Sequence, residues 1–166
     1  MSFEEIKTMI VNKFGEEIIV GEETTGLQPA LLVDPNRIVD VCLELKNNPQ
    51  TYFDFLSCLS GVDYGTEENR FGVVYHLASI PYQTRLTLKI SKENSRDEND
   101  LPSFPSISSV YQAADWHERE AYEMTGIYFE GHPDLRRLLL PDDWDGFPLR
   151  KDYTTVDKYY KGIKID

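Results

Sequence analysis

The sequence predicts an α+β fold, with helices packed on a largely antiparallel sheet and an extended C-terminal tail. Three observations carry this reading. Apolar residues recur at helical spacing after Ser2 and again after Asp34-Pro35. Between residues 52 and 90 they alternate instead, as in half-buried strands. Beyond Gly126 the period disappears, and charged and aromatic residues mix densely as far as Tyr153.

The elements follow in order. Ser2-Phe3-Glu4-Glu5 is a capping box, with Glu5 three residues after the Ser2 cap. Phe3, Ile6, Met9, Ile10 and Phe14 mark the face of the helix it opens, and Gly15 ends it. Residues 17–20 form a short strand, residues 21–28 a loop or hairpin connection, and residues 30–33 a second strand. Asp34-Pro35 starts the next helix, an N-cap followed by proline at the first helical position. Ile38, Val41, Cys42 and Leu45 form its apolar face, and Asn47-Asn48-Pro49 stops it.

Residues 52–64 read as a strand in which Leu56, Cys58, Ser60 and Val62 alternate with Phe55, Ser57, Leu59 and Gly61. Residues 70–80 and 82–90 continue an antiparallel meander, with Leu86, Leu88 and Ile90 on one face and Arg85, Thr87 and Lys89 on the other. Residues 91–105 form a polar, proline-punctuated loop. A third helix is expected from about Ile107 to Met124, with Gly126 as its C-cap. Residues 127–129 and 135–140 are short extended segments. The predicted division is one α+β domain over residues 1–140 and an extended docking tail over 141–166.

Composition excludes several functions. The chain has 166 residues and a net charge of −12. A surface so acidic does not neutralise phosphates, so neither nucleic acid nor an anionic lipid surface is an expected partner. No run approaches the roughly 20 apolar residues needed to span a bilayer. Met1-Ser2-Phe3-Glu4-Glu5 lacks the basic and apolar regions of a signal peptide, so the chain reads as cytoplasmic. Cys42 and Cys58 are not in a CxxC pair, and two thiolates are too few for an iron–sulfur cluster, which normally takes four. Neither GxGxxG, GxxxxGK[ST] nor a Gly-x-Ser-x-Gly elbow occurs.

The charged candidates cluster late in the chain. At 100° per residue, Ala113, Trp116, His117, Glu120, Ala121 and Met124 share one side of the third helix, and Glu118 and Arg119 point elsewhere. Glu120 on an apolar face should find a cation or protonate, and Arg136 or Arg137 is the expected partner. Glu118, Arg119, Glu120, Glu123, Arg136 and Arg137 therefore read as a structural ion-pair cluster. His117-Glu118 fails the zincin pattern, because residue 121 is alanine where a second histidine is needed. His132 follows Gly131 and precedes Pro133, as in a turn. Beyond it, Asp142, Asp143, Trp144, Phe147, Arg150, Lys151 and Tyr153 combine residue types enriched at interface hot spots with prolines that prevent a helix. These residues, with His132, are the expected partner-docking set.

Residues 118–137, ERExxEMxGIxFxGHPDLRR, and their continuation 139–153, LLPDDWxGxPLRKDY, resemble the signature of the C subunit of respiratory complex I. Weaker similarity covers Phe53-Asp54-Phe55-Leu56, Gly61-Val62-Asp63-Tyr64 and residues 71–77. Glu123 stands where that family more often has Asp. Thr125 stands where a bulky apolar residue is commoner, which implies looser packing at the helix end. The resemblance implies a peripheral-arm subunit of NADH–quinone oxidoreductase with no cofactor of its own, FMN and the iron–sulfur clusters being held by partner subunits. It implies packing against the D subunit, which lines the quinone site, near the B and I subunits, on the cytoplasmic side of the bacterial inner membrane. The alternatives are the equivalent subunit of a membrane-bound hydrogenase or other donor–quinone oxidoreductase, and a stand-alone metal hydrolase using His117, His132 and Glu120.

Overall fold

A computed structural model describes residues 1–26 and 28–154. Helix α1 (Phe3–Phe14) opens on the expected capping box: the Ser2 side chain accepts the Glu5 N–H, and the Glu5 carboxylate accepts the Ser2 N–H. After a single 3₁₀ turn, β1 (Ile19–Glu23) pairs antiparallel with β2 (Ala30–Val33). The expected strand at 17–20 is thus shifted toward the C-terminus. Asp34 caps a 3₁₀ turn at Pro35–Arg37, which leads into α2 (Ile38–Asn47). Its predicted face, Ile38, Val41, Cys42 and Leu45, is fully buried.

The meander follows as β3 (Phe55–Asp63), β4 (Arg70–Ser79) and β5 (Thr84–Glu93), each antiparallel to the next. The sheet order is β1-β2-β5-β4-β3. The β2–β5 pair is parallel, a long-range pairing that local sequence patterns do not reveal. A register shift between Leu56 and Cys58 breaks strict alternation in β3, so Leu56 and Leu59 are both buried. A bulge of this kind re-aims the side chains that follow it. Leu59, Gly61 and Asp63 then face the same way as their cross-strand partners Tyr75, Val73 and Phe71.

The third helix is shorter than its pattern suggests. Residues 107–113 form turns, and α3 runs from Ala114 to Thr125. Ile107, Val110 and Tyr111 are buried there without being helical, so their spacing reflects burial in a folded loop. A small parallel pair, β6 (Ser103–Pro105) and β7 (Tyr128–Glu130), joins the end of the polar loop to the extended segment after Gly126.

One hydrophobic cluster joins α1, α2, the inner sheet face and α3. Helix α3 lies over β3 where Gly61 leaves space: a Cβ there would sit 2.7 Å from the Thr125 hydroxyl and 3.2 Å from Ala121. Thr125 is buried, and its hydroxyl donates to the Ala121 carbonyl at 2.6 Å. The small residue fits a close helix–strand approach, so the looser packing expected at the helix end is not found.

Candidate functional site

Helix α3 turns three charged side chains inward: Glu118, Arg119 and Glu123 are 0%, 6% and 1% exposed. Glu120 and Trp116, expected on the buried face, are on the outside. The expected phase of the helix is therefore wrong. Ala121 packs inward as expected, but Ala114 and Thr125 take the places of Trp116 and Met124, with the three charges between them. Hydrophobicity misleads here because the charged side chains have fixed backbone partners and can be buried.

Arg119 and Glu123 lie one helical turn apart and hold the backbone of residues 136–140. The Arg119 guanidinium donates to the carbonyls of Arg136 and Arg137 at 3.2 and 3.3 Å. The Glu123 carboxylate accepts the N–H groups of Leu138 at 3.1 Å, Leu139 at 2.8 Å and Leu140. Residues 135–140 are not in a strand, so these two side chains supply bonds that a neighbouring strand would supply elsewhere. Charge-assisted bonds of this kind are stronger than neutral ones. The clamp thus joins charged side chains to main chain, not arginine to glutamate. Among the described residues no ion pair connects Glu120 to Arg136 or Arg137; Arg136 instead pairs with Asp134 at the surface, 2.7 Å away.

Glu118 faces the other side of α3. It accepts the Ser106 hydroxyl at 2.6 Å and the Ile107 N–H at 2.8 Å, which ties the loop before the helix to its first turns. The His132 ring, whose side chain is 0% exposed, approaches its carboxylate at 3.9 Å. The Asp134 N–H donates to His132 Nδ1 at 3.0 Å, so in the neutral ring the proton sits on Nε2. There it meets the Asp115 carbonyl at 3.0 Å and the Asp115 carboxylate at 3.3 Å. His132 is an internal turn anchor and does not reach a docking surface.

Burial pushes the Glu118 carboxyl up to about 7, and Asp115 adds to the rise, against the opposing pull of the Ser106 and Ile107 bonds. A raised folded value means that the folded state binds a proton the unfolded chain releases. The stabilisation is present below the ordinary glutamate value and disappears as pH rises through about 7. Stability is expected to fall by about 3 kcal/mol between pH 4 and pH 8 from this group. Glu118→Gln mimics the protonated acid and removes that slope. Denaturant midpoints of both proteins across this range check it; parallel pH profiles would refute it.

A second buried charge network closes the domain from the opposite end. The Asp63 side chain, at the end of β3, is 0% exposed and makes a two-pronged ion pair with Arg96, one prong at 3.0 Å. Asp63 also accepts the N–H groups of Gly65 and Lys151, both at 2.8 Å. Arg96 sits at φ 66°, a left-handed conformation uncommon for a residue with a side chain, and its guanidinium lies over the Phe71 ring. It reaches Asp152 at 3.3 Å as well. Arg150 is 6% exposed, donates to the carbonyls of Thr125 at 2.9 Å and Arg96 at 3.2 Å, and lies between Phe71 and Phe147. The αL C-cap Gly126 makes room: a Cβ there would be 2.7 Å from Arg150 and 2.8 Å from Phe147.

These contacts place Arg150 of the predicted docking set inside the domain and leave the Lys151 side chain exposed. Arg150 is an interior residue, Lys151 contributes its backbone N–H, and the half-buried Phe147 packs edge-on against Tyr122 with ring centres 6.3 Å apart. Tyr153 is half-buried beside Gly146. Within the predicted tail, Arg150 and Lys151 are hydrogen-bonded to the domain. Asp142 and Asp143 are exposed and Trp144 is half-buried. The rest of the expected tail, 155–166, lies outside the described residues. His117, His132 and Glu120 do not form a metal-binding group, and none of three or more His, Cys, Asp or Glu occurs among the described residues. Sequence reasoning missed Arg96, inside the polar loop predicted at 91–105, and Ser106, just after it, with no periodic signal around them. Asp63 carried one signal, a carboxylate ending an otherwise apolar strand pattern.

The chain is similar to known proteins along most of its length. Residues 31–159 match the family described as respiratory-chain NADH dehydrogenase, 30 Kd subunit. The NADH-quinone oxidoreductase C subunit of Chlorobium phaeobacteroides is 40% identical over 158 residues, covering 95% of this chain and 91% of that one. The C subunit of the Chloroherpeton thalassium NADH-quinone oxidoreductase is 50% identical over 124 residues, and the chain spans about half of its length, 48%. A chain of an archaeal membrane-bound sulfane sulfur reductase, a respiratory membrane complex, shares the fold with a TM-score of 0.76 over 98% of this chain and 94% of that one at 24% identity. On the match across residues 31–159 and the near full-length Chlorobium relative, the chain belongs to the respiratory-chain NADH dehydrogenase 30 Kd subunit family.

Proposed function

We propose that the chain is a peripheral-arm subunit of an NADH–quinone oxidoreductase that holds no redox group and serves as a docking element. Electrons pass from NADH through FMN and iron–sulfur clusters in partner subunits to quinone, coupled to proton translocation. The chain packs against the quinone-site D subunit, near the B and I subunits, on the cytoplasmic side of the bacterial inner membrane. Among the described residues no helix is long and apolar enough to cross a membrane. The names and identities of the relatives support the donor and acceptor of this reading.

One observation carries the docking role. The Arg119–Glu123 clamp immobilises a segment whose central side chain, Leu139, is 63% exposed. Fixing backbone with buried charges in order to show a leucine to water has no evident benefit for the isolated domain. It does preorganise a contact, which lowers the entropy lost on binding. The exposed Asp142 and Asp143 follow directly along the chain. Leu139→Asp is expected to leave thermal stability within about 0.5 kcal/mol of the parent. It should weaken co-purification with the quinone-site subunit about tenfold or more. Unchanged retention in the complex would reject this docking role.

A further inference from the structure

Among the described residues, the buried Glu118 carboxyl has no cation bonded to it. Its two hydrogen bonds come from neutral donors, the Ser106 hydroxyl and the Ile107 N–H. His132 approaches at 3.9 Å, too far for a hydrogen bond. Its ring is also committed, because Nδ1 accepts the Asp134 N–H at 3.0 Å and a second ring proton would set donor against donor. The other groups around Glu118 supply no positive charge. Asp115, in the first turn of α3, adds a second carboxylate, with its Oδ1 buried. Cys42 on α2 and Tyr75 on β4 are fully buried and neutral, since burial and the Glu118 charge both raise their pKa. Arg119 is turned to the carbonyls of Arg136 and Arg137, and Arg136 pairs with Asp134. Glu130 in β7 accepts the Ser103 hydroxyl at 2.6 Å, on the outside. A carboxylate in such a setting either takes up a proton or draws water to itself.

A hydroxyl path joins this carboxyl to the surface. Glu118 Oε2 lies 2.6 Å from Ser106 Oγ, which lies 2.8 Å from Ser108 Oγ. Ser106 is buried, Ser108 is partly exposed and Ser109 is exposed. Each hydroxyl both donates and accepts, so a proton can move along the pair by rotation of two side chains. When Glu118 is protonated, its O–H donates to Ser106 and the Ser106 hydrogen turns to Ser108. When it is ionised, the Ser106 hydrogen turns back to the carboxylate. The segment that carries the path lies between β6 and α3, outside any helix or strand. The two side-chain bonds that tie residues 106–108 to α3 both end on Glu118.

We propose that Glu118 is a proton-operated latch: the protonated carboxyl holds residues 106–108 against α3, and ionisation releases them so that water reaches the charge. The Glu118 O–H bond breaks, the proton leaves along Ser106 and Ser108 to water, and the bonding pair stays on the carboxylate. Release of this segment precedes global unfolding. It needs no partner subunit, so it stands or falls separately from the proposed function.

The test is amide hydrogen exchange of the full chain, read by NMR as protection factors corrected for intrinsic exchange. Two reporters sit on the latch: the Ile107 N–H bonded to Glu118, and the Ser106 N–H bonded to the Glu130 carbonyl at 2.8 Å. Their protection should fall about tenfold or more between about pH 5.5 and pH 8.5. At every pH it should stay below that of the paired strands β4 and β5. Glu118→Gln, neutral throughout and similar in shape, should hold it constant. Ser106→Ala removes a hydroxyl that favours the ionised form, so the fall should move to higher pH. The infrared carbonyl band of a protonated carboxyl, missing in Glu118→Gln, should disappear from the parent over the same range. Absence of that band at the acid end overturns the proton site. Constant protection in the parent, or an equal fall in Glu118→Gln, overturns the latch. Protection equal to that of β4 and β5 also overturns it, because these amides would then open only in global unfolding. If Glu118→Gln does not fold, an unshifted fall in Ser106→Ala overturns the role of Glu118.

Discussion

Asp63→Ala is expected to destabilise the domain by about 3–5 kcal/mol, the cost of leaving a buried charge without its partner. Arg96 would keep its guanidinium, with a side chain 9% exposed, over Phe71 and, among the described residues, retain Asp152 as its ionic partner. The Gly65 and Lys151 N–H groups would lose their acceptor at the same time. Losing the second of these frees the strap at residues 150–152, so amide exchange at Lys151 should accelerate well before global unfolding. The pH profile supplies a separate signature. Burial raises the Asp63 carboxyl, but the Arg96 ion pair and the two backbone donors outweigh it and hold it below the ordinary aspartate range. A depressed folded value contributes stability above the unfolded pKa, and that contribution is lost as pH falls through the folded one. The parent should therefore lose stability in acid below about pH 4, and the variant should lack this component. Equal acid limbs in urea titrations of the two proteins would exclude the role assigned to Asp63.

The same network bears on any attempt to separate the domain from its C-terminal segment. Ending the chain after Leu140 would remove Arg150 from beneath Gly126 and the Lys151 N–H from Asp63. Lost co-purification of such a fragment would report unfolding as readily as lost docking, which is why the single-residue change at Leu139 is the cleaner probe.

The second large effect is expected at Glu123. Glu123→Ala removes the acceptor for three successive N–H groups, those of Leu138, Leu139 and Leu140. Each partly buried donor left unsatisfied costs about 1–3 kcal/mol, reduced where water enters, so a total of about 3 kcal/mol is expected. Exchange protection should be lost at these three amides in particular, and docking should weaken because Leu139 is no longer held. Glu120→Ala is the control: it lies three residues away on the same helix but is exposed, and should change stability by less than about 0.5 kcal/mol. Comparable losses for the two variants in chemical denaturation would rule out the clamp.

Much of the scaffold was readable before any coordinate. The capping box at Ser2, the Asp34-Pro35 start, the buried face of α2 and the alternation of β4 and β5 are local signals, and the structure bears them out. Local patterns were less reliable where tertiary contacts set the burial. Residues 107–113 bury Ile107, Val110 and Tyr111 outside any helix, and the bulge in β3 puts both Leu56 and Leu59 in the core.

The site divides in the same way. Sequence alone determined the family signature, the absence of nucleotide-binding motifs, and the gathering of Glu118, Arg119, Glu120 and Glu123 on one short segment, because these depend on residue identity and order; it chose Glu120 as the buried member, which is exposed. It could not determine what the charges touch. Ion pairs were expected because side-chain partners are visible in a sequence and backbone partners are not. Only the tertiary structure placed the Arg136 and Arg137 carbonyls and the N–H groups of residues 138–140 beside α3, and brought Lys151 to Asp63 across 88 positions. Every residue has a C=O and nearly every one an N–H, so nothing in the letters marks which ones a buried charge will bind; folding alone selects them.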